Sequence, residues 1–206
     1  MGKVLIHVFQ FILAVLLAPI LYTSIQNFSH YFSAYPDIYR EFFYWGFLSF
    51  VVTYLFVFRP LVLHQFGQNV VSGLFKFVSP LDKFFSFILP FYVIIIFLLF
   101  YAIMILFKTT RLDHYFMFFA GFTFSMQLIF VAQELQEEEN STLKPSYLFI
   151  MSLVFILNIF LLTLLFDLIL RRFTFPVFFQ AMFEDARSIY EAVFHKICSI
   201  YHTAVK

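Results

Sequence analysis

Charge is the scarcest property of this chain: only 12% of its 206 residues are Asp, Glu, Lys or Arg. A globular domain carries about twice that share, because it must wet its whole surface. The 13 basic and 12 acidic residues leave a formal net charge of +1, so there is no basic field for nucleic acid and no acidic tail. Cysteine is confined to Cys198, which excludes an internal disulfide and any dithiol pair. With 5 glycines in all, there is little material for a loop that cradles phosphate. Neither an H-E-x-x-H nor a G-x-S-x-G motif is present, and no apolar run holds two acidic residues at metal-binding spacing. These absences point away from an enzyme. No stretch carries a motif diagnostic of a family.

Apolar residues fill the space that charge leaves. They make up 63% of the chain, and the mean hydropathy is +0.91. Aromatics alone reach 24%, with 36 Phe and 12 Tyr. The Phe residues are spread over every segment rather than gathered on one stripe, which reads as apolar filler rather than a ring-lined path. Five runs have the length of a membrane crossing: 4–22, 42–58, 87–107, 115–133 and 147–170. None alternates polar with apolar as a barrel strand does, and backbone polar groups in lipid must be satisfied within the segment, which leaves helix. The expected fold is therefore an all-α, polytopic membrane bundle over residues 1–175. The start, with Lys3 before an apolar run, resembles a signal peptide but lacks a clear cleavage site, so it is expected to remain as the first span.

Two segments are amphipathic instead. In 61–77, Leu63, Phe66, Val70, Val71, Leu74 and Phe77 are set against His64, Gln65, Gln68 and Asn69. In 176–206, Pro176 suits a first helical turn, and apolar side chains then recur at steps of three and four with no Gly or Pro. One column runs through Phe179, Phe183, Tyr190, Phe194 and Ile197, and a second through Met182, Ala186, Ile189 and Val193. The opposite face mixes Glu184, Asp185 and Glu191 with Arg187 and Lys196, a balance that gives anionic lipid little to attract. The first column is therefore expected to dock on a partner or on the bundle itself.

Polar groups deep in the apolar runs are functional candidates by default. They are Gln127, Asn158 and Asp167. Helix-to-helix hydrogen bonding is the favoured role for the two amides, and an i,i+4 pair with Arg171 for Asp167. Gly121, Thr123 and Ser125 mark 115–133 as a contact helix. The 6 His residues lie at run ends, loops or amphipathic segments, never two in one run; no cofactor is expected, although haem is not excluded. An offset that sets Arg59 on Arg171, Phe66 on Phe178 and Gln68 on Gln180 hints at an inverted repeat.

Lys and Arg set the expected orientation. Arg40, Lys108, Arg111, Arg171, Arg172, Arg187, Lys196 and Lys206 outnumber Lys3, Arg59, Lys76, Lys83 and Lys144 on the other side, which places the C-terminus in the cytoplasm. The functional expectation is a structural or accessory subunit of a larger membrane complex, without chemistry of its own. Its partners would be other integral-membrane subunits and membrane lipids, some of them bound. The alternative is a small transporter or channel component for a lipid or other hydrophobic substrate.

Overall fold

The computed structural model describes residues 2–56, 61–76, 90–107, 112–138 and 145–204. Within them the chain forms seven helices and no strand. These are α1 (Gly2–Ser33), α2 (Asp37–Phe56), α3 (Leu61–Phe75), α4 (Phe91–Phe107), α5 (Asp113–Glu138), α6 (Pro145–Leu170) and α7 (Phe175–Ala204). The ends of the expected runs at 57–58, 77, 87–89 and 205–206 lie outside the described residues.

Three helices are long and apolar enough to cross a membrane, at His7–Ser33, Asp113–Gln136 and Tyr147–Leu170. The other two expected spans do not combine both properties, one for its charge and one for its length. α2 has 20 residues, but Asp37, Arg40 and Glu41 occupy its first turns. α4 is almost purely apolar but has 17 residues, which reach about 25 Å at ~1.5 Å per residue. α1 runs well past the expected end at Tyr22. Its polar residues bond to their own helix, Thr23 Oγ1 donating to Pro19 O at 3.0 Å, Ser24 Oγ to Ile20 O at 2.6 Å and Asn27 Nδ2 to Thr23 O at 3.0 Å. Side chains that satisfy themselves this way do not stop a helix.

α2 and α5 run side by side in the same direction, with Phe42 against His114 at one end and Tyr54 bonded to Gln133 at the other. Glycine sets how close they come. A Cβ on Gly46 would strike the carbonyl oxygen of Phe118, and one on Gly121 would strike that of Phe43. Ser125 Oγ adds a bond to Phe47 O at 3.2 Å. α5 is thus the central contact helix, with 61% of its span-length stretch buried against 11% for α1.

Beside this pair, rings from four helices converge. Phe32, Phe43 and Phe116 each lie 5.9 Å from Phe166, centroid to centroid, and Phe32 and Phe43 are 5.0 Å apart. Phe32 stacks on Phe166 and the other three pairs meet edge to face; aromatic pairs of either kind are worth about 0.5–1.5 kcal/mol beyond their area. The scattered Phe residues of the sequence are brought together here as a core.

After α6 the chain reverses and α7 lies antiparallel on α1. Phe178 meets Tyr31, Met182 Sδ accepts from Ser24 at 3.0 Å, and the Tyr190 hydroxyl donates to Leu16 O. Arg187 and Lys196 therefore lie farther along α1 from the end that holds Arg172 and Ala34. The offset suggested for an inverted repeat would set Gly46 on Asn158 and Gly121 on Phe9. Gly46 and Gly121 sit in one close contact, whereas Phe9 is 61% exposed, so that contact has no counterpart at the offset positions.

The glycine contact makes a test. Gly46→Val should push α2 off α5 and destabilise the fold by at least the ~1–3 kcal/mol of an overpacked core. Gly73 has open space around its Cα, so Gly73→Ala should be neutral or stabilising by up to ~1 kcal/mol. Thermal unfolding of the two variants beside the wild type reads both effects.

Candidate functional site

The polar side chains that the fold concentrates lie where α1 ends and α6 turns into α7. Arg171 ends α6 in the left-handed region, with φ 53°. The amide of Arg172 then bonds back to Asp167 O at 3.0 Å, the pattern of a Schellman cap with Arg in the position that glycine usually takes. The turn swings Thr174 and the start of α7 over Asp167.

Asp167 is 7% exposed, and donors surround its carboxylate. Oδ1 accepts from Thr174 Oγ1 at 2.7 Å and from the Tyr31 hydroxyl at 2.9 Å, with Tyr35 farther off at 3.4 Å. Oδ2 accepts from the Phe175 amide at 2.5 Å. That last bond satisfies one of the open N–H groups at the α7 N-terminus, where the helix dipole also favours a negative group. The Tyr31 hydroxyl lies 2.6 Å from that of Tyr35 and 3.0 Å from Thr163 O. Burial pushes the Tyr35 phenol above its ordinary range, which keeps it a neutral donor. Asp167 therefore ties α6, α7 and the end of α1 together. This corrects the expected i,i+4 pair with Arg171, which is exposed, while Thr174, Tyr31 and the Phe175 amide supply the hydrogen bonds.

A cleft of about 310 Å³ opens beside this cluster. Tyr31, Tyr35, Arg172 and Thr174 line one side, Asn27 and His30 the α1 edge, and Val177, Phe178 and Ala181 the other side, and the surface they present to the cleft is almost wholly apolar. Arg172 Nη1 donates to Ala34 O at 3.1 Å, and its guanidinium carbon sits 4.8 Å from the Tyr35 ring centre. A second concavity, along Leu5, Val8, Phe9 and Ile12, is lined by apolar side chains only.

The remaining candidates are dispersed. Gln127 is buried on α5. Asn158 is 1% exposed on α6; its Nδ2 donates to Val154 O at 2.7 Å, within its own helix, and its Oδ1 has no partner among the described residues. Its hydrogen bond is thus not the expected link between helices. Of the docking residues, Tyr190 touches α1 and Phe179 packs on Phe160 of α6 at 5.3 Å, while Phe179 and Phe183 lie 4.6 Å apart and remain half-exposed. Phe194 and Ile197 are 66% and 61% exposed. The second column, through Met182 and Ala186, is the one buried against the bundle. Among the described residues no three His, Cys, Asp or Glu side chains converge as a metal site would require. Tyr31, Tyr35, Arg172 and Thr174 are site residues that the sequence reading missed. The i,i+4 spacing of the two tyrosines, which puts both hydroxyls on one face, was the available signal.

No family model, curated protein or solved structure matches the chain. The class that fold and site define is an all-α bundle with three membrane-length helices and a hydrogen-bonded carboxylate at one end.

The carboxylate makes a direct prediction. Asp167→Ala leaves the Thr174 hydroxyl, the Tyr31 hydroxyl and the Phe175 amide without their acceptor, at ~1–3 kcal/mol for each buried donor left unpaired. Asp167→Asn keeps the shape and should cost less. Limited proteolysis should show cleavage near 171–175 appearing first in the alanine variant. Equal resistance of the alanine variant and the wild type would mean that Asp167 does not hold the turn.

Proposed function

We propose that the chain is an integral-membrane structural or accessory subunit of a larger membrane complex. The observation that carries this reading is the course of α7. It follows α1 from Tyr31 to Leu16, and both residues lie within the apolar stretch His7–Ser33. From Ser33 to Leu16 is about 25 Å along a helix, most of the ~30 Å hydrocarbon thickness. The face of α7 turned away from α1 carries Glu184, Arg187 and Glu191, all exposed.

For a lone chain in a bilayer, those groups would meet lipid. The cost on insertion scales is ~2.5–3.5 kcal/mol for each Asp, Arg or Lys near mid-depth. Arg187 and Glu191 pair at 2.8 Å, yet their side chains remain 80% and 56% exposed. A face of this kind needs protein or water against it. A neighbouring subunit would supply the protein, with polar contacts to α7 and apolar contacts to Phe194 and Ile197. The full span count belongs to the same proposal: α2 and α4 would cross as well, in a locally thinned bilayer. The end bearing Arg40, Arg171 and Arg172 would face the cytoplasm, while α7 carries the C-terminal residues back along α1.

A transporter or channel component for a hydrophobic substrate is the second reading. The cleft beside Asp167 favours it.

The test is truncation. Removing residues from Glu184 onward should leave the protein in the membrane fraction but release it from the partners that co-purify with the full chain. Arg187→Ala with Glu191→Ala should weaken the same association without moving the protein out of the membrane. If the truncated chain retains every partner, or if the full chain purifies alone as a monomer, the subunit reading is wrong.

A further inference from the structure

We propose that the cleft between α1 and α7 binds the anionic head of a membrane lipid, with Arg172 as its charge partner and the Val177–Ala181 wall as the seat for the first carbons of an acyl chain. The inference rests on the membrane part of the proposed function and not on the subunit part.

Charge is the first argument. Arg172 forms no ion pair among the described residues. Its guanidinium is pinned by Ala34 O on one side and the Tyr35 ring on the other, so its direction is set before a ligand arrives. Pre-orientation lowers the ordering cost of binding, and a guanidinium fork suits phosphate oxygens. The two carboxylates nearby keep their charge but have neutral donors of their own, so neither takes Arg172 as an ion-pair partner. Asp167 accepts from Thr174, Tyr31 and the Phe175 amide, and Asp185 accepts from Asn27 Nδ2 at 2.8 Å at the far end of the cleft. His30 lies on the same edge as Asn27 and adds a second group that can donate to an anion.

Depth and shape are the second argument. Arg172 stands two residues past Leu170, where the apolar stretch of α6 ends, which is headgroup level in a bilayer. From there the cleft follows α7 back toward the bundle along Val177, Phe178 and Ala181, which is the direction a lipid tail takes. Its volume, about 310 Å³, is at the low end for ligand sites, and its almost wholly apolar lining suits part of one chain, with the head at the mouth on the exposed Arg172. A soluble anion would use the arginine and leave the apolar wall bare.

The test uses the full chain purified in a neutral maltoside detergent, with the thermal unfolding midpoint followed as lipid is added. Phosphatidylglycerol should raise the midpoint, while phosphatidylcholine and inorganic phosphate should not. Arg172→Gln should weaken the phosphatidylglycerol effect about tenfold in half-saturating concentration, the scale of one lost charged hydrogen bond. Ala181→Phe keeps the arginine but fills the cleft, and it should weaken the effect similarly. It guards against the case in which Arg172→Gln merely unfolds the turn. An unchanged response in Ala181→Phe, an equal response to phosphatidylcholine, or a full response to inorganic phosphate would each overturn the assignment. Extraction of cell membranes at alkaline pH separates the two readings. A chain that stays in the pellet but shows no lipid preference refutes the site alone, whereas release into the supernatant refutes the membrane reading beneath it.

Discussion

A carboxyl group taken out of water needs donors around it, and Asp167 is where this chain supplies them. Two hydroxyls and a backbone amide converge on its two oxygens, and they come from α1, from the turn after α6 and from the first residue of α7. The group is also placed at the open N-terminus of α7, where its charge is favoured. One side chain thus decides where α7 begins and in which direction it leaves. The antiparallel packing of α7 on α1, the cleft between them and the exposure of the charged face all follow from that turn.

The other half of the bundle is held by a different device. α2 and α5 come together because neither has a side chain at Gly46 and Gly121, so backbone meets backbone. Close approach of this kind depends on dispersion over short distances rather than on expulsion of water. It is therefore available to helices inside a membrane as well as in water. The ring cluster around Phe166 joins this rigid pair to α1 and α6, so the Asp167 turn is built on a firm base.

α7 sets two demands against each other. Its buried column, through Phe178, Met182 and Ala186, fits α1 closely. Its opposite face is as polar as that of a helix in water. Both can be satisfied along a membrane-length helix only if something other than lipid covers the polar face. The proposed subunit role is the simplest arrangement that meets this demand. A lipid head at Arg172 would then close the end of the same groove.

The helices themselves were legible in the sequence, because apolar length and the step of three and four survive without any knowledge of neighbours. The seven-turn C-terminal helix, read from Pro176 onward, is one unbroken element, and Gly121 and Ser125 correctly marked α5 as a contact helix. The span limits were less legible. Thr23, Ser24 and Asn27 look like the end of α1, yet their bonds to their own backbone let it continue. Asp167 was singled out for its cost in an apolar run, but its partners were misread. Arg171 is nearest in sequence, whereas Tyr31 and Tyr35 come from the other end of the chain.

By itself the sequence determined that this protein is helical, that at least part of it has membrane length, and that its last helix has one wet face. These properties depend on the composition and period of single segments. Only the tertiary structure decided which of the two apolar columns of α7 is buried, that the helix turns back along α1, and that an isolated acid becomes the centre of a polar cluster. Such choices depend on contacts between residues more than a hundred positions apart, such as Tyr31 with Asp167 and Ser24 with Met182. No local pattern records them, because each partner looks ordinary in its own segment.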